Sequence, residues 1–216
     1  METMAANSIS SETVLHWLHN CADAFTKHKD ELTELDAAIG DADHGANMAR
    51  GFTAVQGKLE GVKDKDLGTI FKTVAMTLIS TVGGASGPLY GTFFLQAVAG
   101  SNGKMALTHE ELANVFDAGL HGLMNRGKAV VGEKTMIDAL VPAVAALKPV
   151  ANDTLSAALD RALVAAKKGA DSTIPLVAKK GRASYLGERS AGHLDPGAAS
   201  SVLLLDALQR AVQSSA

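Results

Sequence analysis

A single cysteine, Cys21, occurs in 216 residues, so no internal disulfide can form, which fits a reducing compartment. No block of basic residues is present. Twenty Lys and Arg against 23 Asp and Glu leave a net charge of −3, and no nucleic-acid partner is expected. Residues 1–10 carry neither a cationic start nor an apolar stretch, so they read as a flexible tail rather than a secretory signal. No apolar run is long enough to span a bilayer, and no membrane partner is expected. Common chemical signatures are also missing. There is no G-x-x-x-x-G-K-[ST], no strand-borne G-x-G-x-x-G, no H-E-x-x-H or C-x-x-C pair and no G-x-S-x-G elbow. Residues 1–216 therefore read as one cytoplasmic globular domain.

What is present is helical periodicity. Val14, Leu18, Cys21 and Phe25 step by four, three and four, with Trp17 widening the stripe. Leu67, Phe71, Val74 and Leu78 form a second stripe. Leu112, Phe116, Gly119 and Leu123 form a third, preceded by Thr108 and Glu111 at capping-box spacing. Ile137, Leu140, Val141, Val144 and Leu147 follow, with Pro142 predicting a kink or a late start. Leu155, Leu159, Ala162 and Ala166, then Leu205, Leu208 and Val212, complete the series. No alternating run is long enough to be read as a strand. The class is all-α, with about eight helices joined by glycine-rich turns. Abundant alanine allows the close approach of an up-and-down bundle or barrel.

Three segments carry chemistry. Asp36, Asp41 and Asp43 lie within eight residues around Gly40, followed by His44 and Gly45. Carboxylate oxygens are hard ligands suited to Mg²⁺, although aspartates beside glycine also serve as caps and turn formers. Gly83-Gly84-Ala85-Ser86-Gly87-Pro88 can end one helix and begin another. Helix-start amides with the Ser86 hydroxyl would then cradle a phosphate, unless the glycines merely permit tight packing. Lys179 to Gly197 is long and polar for a helical connection, with Arg182 and Arg189 as possible phosphate partners and Asp195-Pro196 as a helix start. His16, His19, His28, His109 and His121 are scattered along helical patterns and read as surface or packing residues. Together the three segments suggest Mg²⁺-dependent nucleotide or phosphate chemistry, provided the fold brings them to one place.

These three motifs, in this order, resemble the nucleotide-binding L subunits of dihydroxyacetone kinases, and the resemblance runs from the first helix to the last. It implies a phosphotransferase built as an eight-helix antiparallel up-and-down barrel that holds ADP or ATP and two Mg²⁺ at one rim. It further implies Asp36, Asp41 and Asp43 as metal ligands, and His44, Gly45, Ala46 and Asn47 as nucleotide contacts, Ala46 through its backbone. Ala85, Ser86, Gly127, Met136, Arg182, Asp195, Pro196 and Gly197 are implied to complete the nucleotide pocket.

Within the family, fused ATP-dependent kinases resemble G-D-G-D-C-G in the acidic turn, whereas this chain has Ala42 and His44. That difference resembles the phosphotransferase-system form. There ADP is a held coenzyme, rephosphorylated by a phosphohistidine on an M subunit, and its γ-phosphoryl group passes to dihydroxyacetone on a K subunit. The Gly181–Gly192 loop is then the candidate docking lid for the K subunit. An ATP-dependent triose or tetrulose kinase with exchanging ADP, and a non-catalytic nucleotide-binding module contacting a transcription regulator through the polar loop, are the competing expectations.

Overall fold

The computed structural model describes residues 7–151 and 153–215. Chain order is β1 (Ser8–Ser10), α1 (Ser11–Lys27), α2 (Lys29–Ile39), α3 (His44–Leu59), a 3-10 turn (Glu60–Val62), α4 (Leu67–Thr81) and α5 (Ser86–Ser101). There follow β2 (Ala106–Thr108), α6 (His109–Gly127), α7 (Met136–Leu147), α8 (Leu155–Asp171), a 3-10 segment (Arg182–Ser190) and α9 (Pro196–Ser214). Eight of the nine described α-helices form a closed ring: α1 packs on α3, each later helix on the next, and α9 returns to α1. The ninth, α2, bridges α1 and α3 and leans on α9. Short connections force neighbouring helices to run antiparallel. The starts of α3, α5, α7 and α9 consequently share one rim with the ends of α2, α4 and α6.

The stripes read from the sequence face the ring interior. Trp17 sits at its centre, with ring centroids 6.4, 5.7 and 5.9 Å from Phe71, Phe94 and Phe116. Its indole N–H donates to the Leu204 carbonyl at 3.0 Å, tying α1 to α9. All six phenylalanines are buried, so the few aromatic residues are spent on filling the barrel.

Two expectations change. Residues 1–6 lie outside the described residues, but Ser8–Ser10 is not a free tail. It pairs antiparallel with Ala106–Thr108, with Ile9 opposite Leu107 and both fully buried. The ribbon closes the end of the barrel away from the rim. Its three-residue strands are too short to produce readable alternation. Of the kink or late start expected from Pro142, the late start does not occur: α7 starts at Met136 behind a capping box formed by Thr135 and Asp138, with Pro142 inside it. Pro142 has no amide hydrogen to offer the Asp138 carbonyl. Gly169 of α8 approaches that carbonyl so closely that a Cβ there would lie 2.2 Å from it.

Candidate functional site

The acidic turn is built around Asp36 in the last turn of α2. One of its carboxylate oxygens accepts the amides of Asp43, at 2.9 Å, and His44, at 3.1 Å, which fixes how α3 begins. Between them Ala42 adopts a left-handed backbone (φ 60°), a conformation that costs a side-chain-bearing residue about 1 kcal/mol. The result is that ligand atoms from Asp36, Asp41 and Asp43 all lie within 4.8 Å of one another. Three carboxylates this close are able to hold a cation between them. An all-oxygen set of carboxylates fits Mg²⁺ and disfavours softer ions. Arg182, from the polar loop, meets Asp41 at 2.8 Å and offsets part of the charge.

Across the cavity, α4 ends at Thr81 and α5 starts at Ser86. Gly84 takes φ 63°, and a Cβ on Gly87 would lie 2.2 Å from the Val82 carbonyl, so the turn depends on both glycines. No N-cap side chain bonds the start of α5, and because Pro88 has no amide hydrogen its leading donors are the amides of Ser86 and Gly87. His44 is 7% exposed and stands behind this helix start: Nδ1 lies 3.1 Å from Ser86 Oγ and Nε2 2.9 Å from Ser200 Oγ. Burial holds the imidazole below its ordinary pKa, against the opposing pull of Asp36, Asp43 and the Pro196 carbonyl, so the ring is neutral at pH 7.

Within the polar loop, Arg182–Ser190 forms two 3-10 turns either side of Gly187. The base of the loop is held by Lys134, which is 1% exposed and lines the cavity with its stem. The ammonium donates to the carbonyls of Thr173, at 2.6 Å, Ile174, at 3.4 Å, and His193. Asp138 fixes the preceding turn by accepting the amides of Gly132 and Thr135. Asp195 caps α9 through the Ala198 amide at 2.7 Å. Burial pushes its carboxyl up to about 7, with the Ala198 amide and the Lys134 charge pulling the other way. A carboxyl whose pKa is raised on folding binds its proton more tightly in the native state. Its contribution to stability is full below about pH 4 and is lost as pH rises through about 7. Asp195→Asn keeps the cap but cannot titrate. The wild-type-minus-variant difference in metal-free unfolding free energy is therefore expected to fall between pH 4 and pH 7 and stay flat above; a difference independent of pH would refute the assignment.

All three segments meet at one cavity of about 550 Å³, within the range of small-ligand sites. Of the residues singled out from the sequence, Asp36, Asp41, Asp43, His44, Ala85, Ser86, Gly127, Met136, Arg182, Asp195, Pro196 and Gly197 line it. Gly45, Ala46 and Asn47 stand outside the lining. Gly45 packs on the Lys29 carbonyl, and Asn47 sits under Gly83 and accepts from Arg50 at 2.5 Å. Sequence reasoning missed Lys134, Tyr90 and the apolar wall of Leu89, Leu123 and Ile137. The Thr135–Asp138 spacing before an apolar run was a readable signal for the start of α7. Nothing local marked Lys134.

A ring of helices with a carboxylate trio, an uncapped helix start and a cationic loop on one rim defines an α-helical barrel with one polar cavity, whose lining suits a metal and a phosphate. The DAK2 domain model matches residues 38–210, and the chain belongs to that family. The ADP-binding subunit DhaL of the PEP-dependent dihydroxyacetone kinase of Escherichia coli K12 is 49% identical over 208 residues, covering 95% of this chain and 99% of that protein. The corresponding subunit of PEP-dependent dihydroxyacetone kinase 1 of Listeria innocua is 46% identical, over 90% of this chain and 93% of its own length. The crystal structure of the dihydroxyacetone kinase from C. freundii in complex with AMP-PNP and Mg²⁺ matches 91% of this chain with a TM-score of 0.68 and 28% identity. This chain spans about a third, 33%, of that longer kinase. The relatives are kinase components, and kinases are phosphotransferases. No described helix is long and apolar enough to cross a membrane.

Proposed function

We propose that this chain is the ADP-binding subunit of a phosphoenolpyruvate-dependent dihydroxyacetone kinase of the cytoplasm, holding ADP or ATP with two Mg²⁺. In this reading a phosphohistidine on a partner M subunit phosphorylates the held ADP, and the γ-phosphoryl group passes to dihydroxyacetone on a partner K subunit. The observation that carries the proposal is the convergence of Asp36, Asp41 and Asp43 with the start of α5 and the polar loop around one cavity. The higher identity to the separate ADP-binding subunits than to the longer kinase supports the held-coenzyme form.

Each wall has a distinct task. Asp36, Asp41 and Asp43 would hold the metal, which supplies positive charge against the phosphoryl oxygens when bound. The first amides of α5 and the Ser86 hydroxyl orient the phosphate chain from the opposite side. Leu89, Leu123, Met136 and Ile137 offer the apolar contact that a nucleobase needs. Arg182, tied to Asp41 above the acidic turn, would offer a bidentate donor to the phosphate oxygens.

The test is to purify the chain in Mg²⁺ buffer, dialyse it, denature it and identify what is released. One equivalent of ADP that survives dialysis and leaves with EDTA is the expected result. Protein that arrives empty and binds ATP only on addition would transfer the assignment to an exchanging kinase. Failure to bind either nucleotide would return the aspartates to a turn-forming role.

A further inference from the structure

A hydrogen-bonded chain of side chains runs from the cavity lining to the buried face of α9, and nothing in the phosphate-holding role of the rim requires it. It runs from Ser86 Oγ to His44 Nδ1, at 3.1 Å, and from His44 Nε2 to Ser200 Oγ, at 2.9 Å. From there it continues to the Tyr90 hydroxyl, 2.7 Å from Ser200 Oγ and 3.2 Å from Ser201 Oγ. Ser200 and Ser201 both reach the Gly197 carbonyl, at 3.0 and 2.8 Å. Tyr90, Ser200 and Ser201 are at most 1% exposed, so their protons must be satisfied within the chain.

Two of the possible proton arrangements decide what Ser86 offers the cavity; the Pro196 carbonyl, a further backbone partner of the His44 ring, adds an acceptor to either. In the first, Ser200 and Ser201 donate to the Gly197 carbonyl, Tyr90 donates to Ser200, His44 Nε2–H donates to Ser200, and Ser86 donates inward to Nδ1. Every proton has a partner, but Ser86 then shows only lone pairs to the cavity. A phosphate oxygen there would face an acceptor. In the second, Ser200 donates to His44 Nε2, His44 Nδ1–H donates to Ser86 Oγ, and the Ser86 hydroxyl is free to donate into the cavity. Of the two, this one offers an anion the Ser86 proton while keeping His44 Nδ1 satisfied, and it releases one donor from the Gly197 carbonyl in the first turn of α9.

We infer that His44 is a tautomeric relay, with Ser200 and Tyr90 as positioning residues, that couples phosphate at the start of α5 to the first turn of α9. The inference rests on the nucleotide-binding reading above and adds what prepares Ser86 for its phosphate. An anion shifts His44 from the Nε2–H to the Nδ1–H form, and the Ser200 hydroxyl turns from Gly197 to the imidazole. The two walls of the cavity thus respond together although Ser86 and Ser200 lie on different helices.

Nitrogen-15 histidine spectra of the unsubstituted protein, with His44 assigned by its loss in His44→Gln, report the tautomer directly. The expected result is Nε2–H in the free protein and Nδ1–H once MgADP is added. The same form in both states would overturn the relay. If MgADP does not bind, the functional reading fails on its own, and magnesium pyrophosphate serves as the probe for the same tautomer change. A double-mutant cycle supplies the second readout. Ser200→Ala alone is expected to weaken MgADP binding about 3- to 10-fold, and Ser86→Ala by a similar factor. Because both act through His44, the double variant should be no weaker than the poorer single one. Factors that multiply would show two independent contacts and overturn the coupling.

Discussion

Replacing Asp41 and Asp43 together by asparagine is expected to weaken Mg²⁺-dependent ADP binding by more than about 100-fold while leaving the fold intact. Outer partners of metal ligands alone commonly account for 10- to 100-fold in affinity, and here two ligand charges are removed. The free protein should tolerate the change. Asp41 is paired only with the well-exposed Arg182, an interaction worth about 0–1 kcal/mol, and removing two of three clustered charges relieves repulsion. Asp36 differs because its carboxylate holds the amides of Asp43 and His44. Asp36→Asn is expected to lower unfolding stability by about 1–2 kcal/mol, since an amide oxygen accepts more weakly than a carboxylate. Isothermal titration with MgADP and denaturant unfolding separate the two effects. Unchanged ADP affinity in the Asp41/Asp43 double variant would remove the metal assignment.

Lys134→Met is expected to lower stability by about 3 kcal/mol and to release the polar loop. The methionine preserves the length of the buried stem but presents no donor. The Thr173 and Ile174 carbonyls keep the amides of Leu176 and Gly192 as partners, whereas the His193 carbonyl loses the ammonium. A hydrogen bond to a charged donor is worth about 1.5–3 kcal/mol, so losing this set accounts for the estimate. For a chain of this size that corresponds to a melting temperature lower by roughly 6–12 °C. Faster amide exchange between residues 174 and 193, with faster ADP release, should accompany it. A melting temperature within about 2 °C of the parent would show that the loop is held by other contacts.

Much of the fold was legible because its signals are local. The 3.6-residue stripes, the Thr108–Glu111 capping box and the Asp195-Pro196 helix start each depend on a few neighbouring residues, and each is present. The β1–β2 ribbon was not legible, because three residues give no periodicity and their partner lies about a hundred positions away. Lys134 was passed over because lysine is ordinarily a surface residue, and only three converging carbonyls make its burial favourable. Pro142 argued against an early start of α7, while the Thr135–Asp138 pair argued for one, and the cap decided.

The amino-acid sequence by itself determined the helices, their turns and the chemical character of three rim segments, since helix periodicity, caps and glycine turns are short-range properties. Tertiary structure decided that these segments share one cavity. It put Arg182 on Asp41, and it set His44 between Ser86 and Ser200, which lie 42 and 156 positions away. It also packed Gly45 on the Lys29 carbonyl and Asn47 beneath Gly83. The reason is physical: which helix ends meet depends on how the eight ring helices close around Trp17 and the six phenylalanines, and no short stretch of chain specifies that closure.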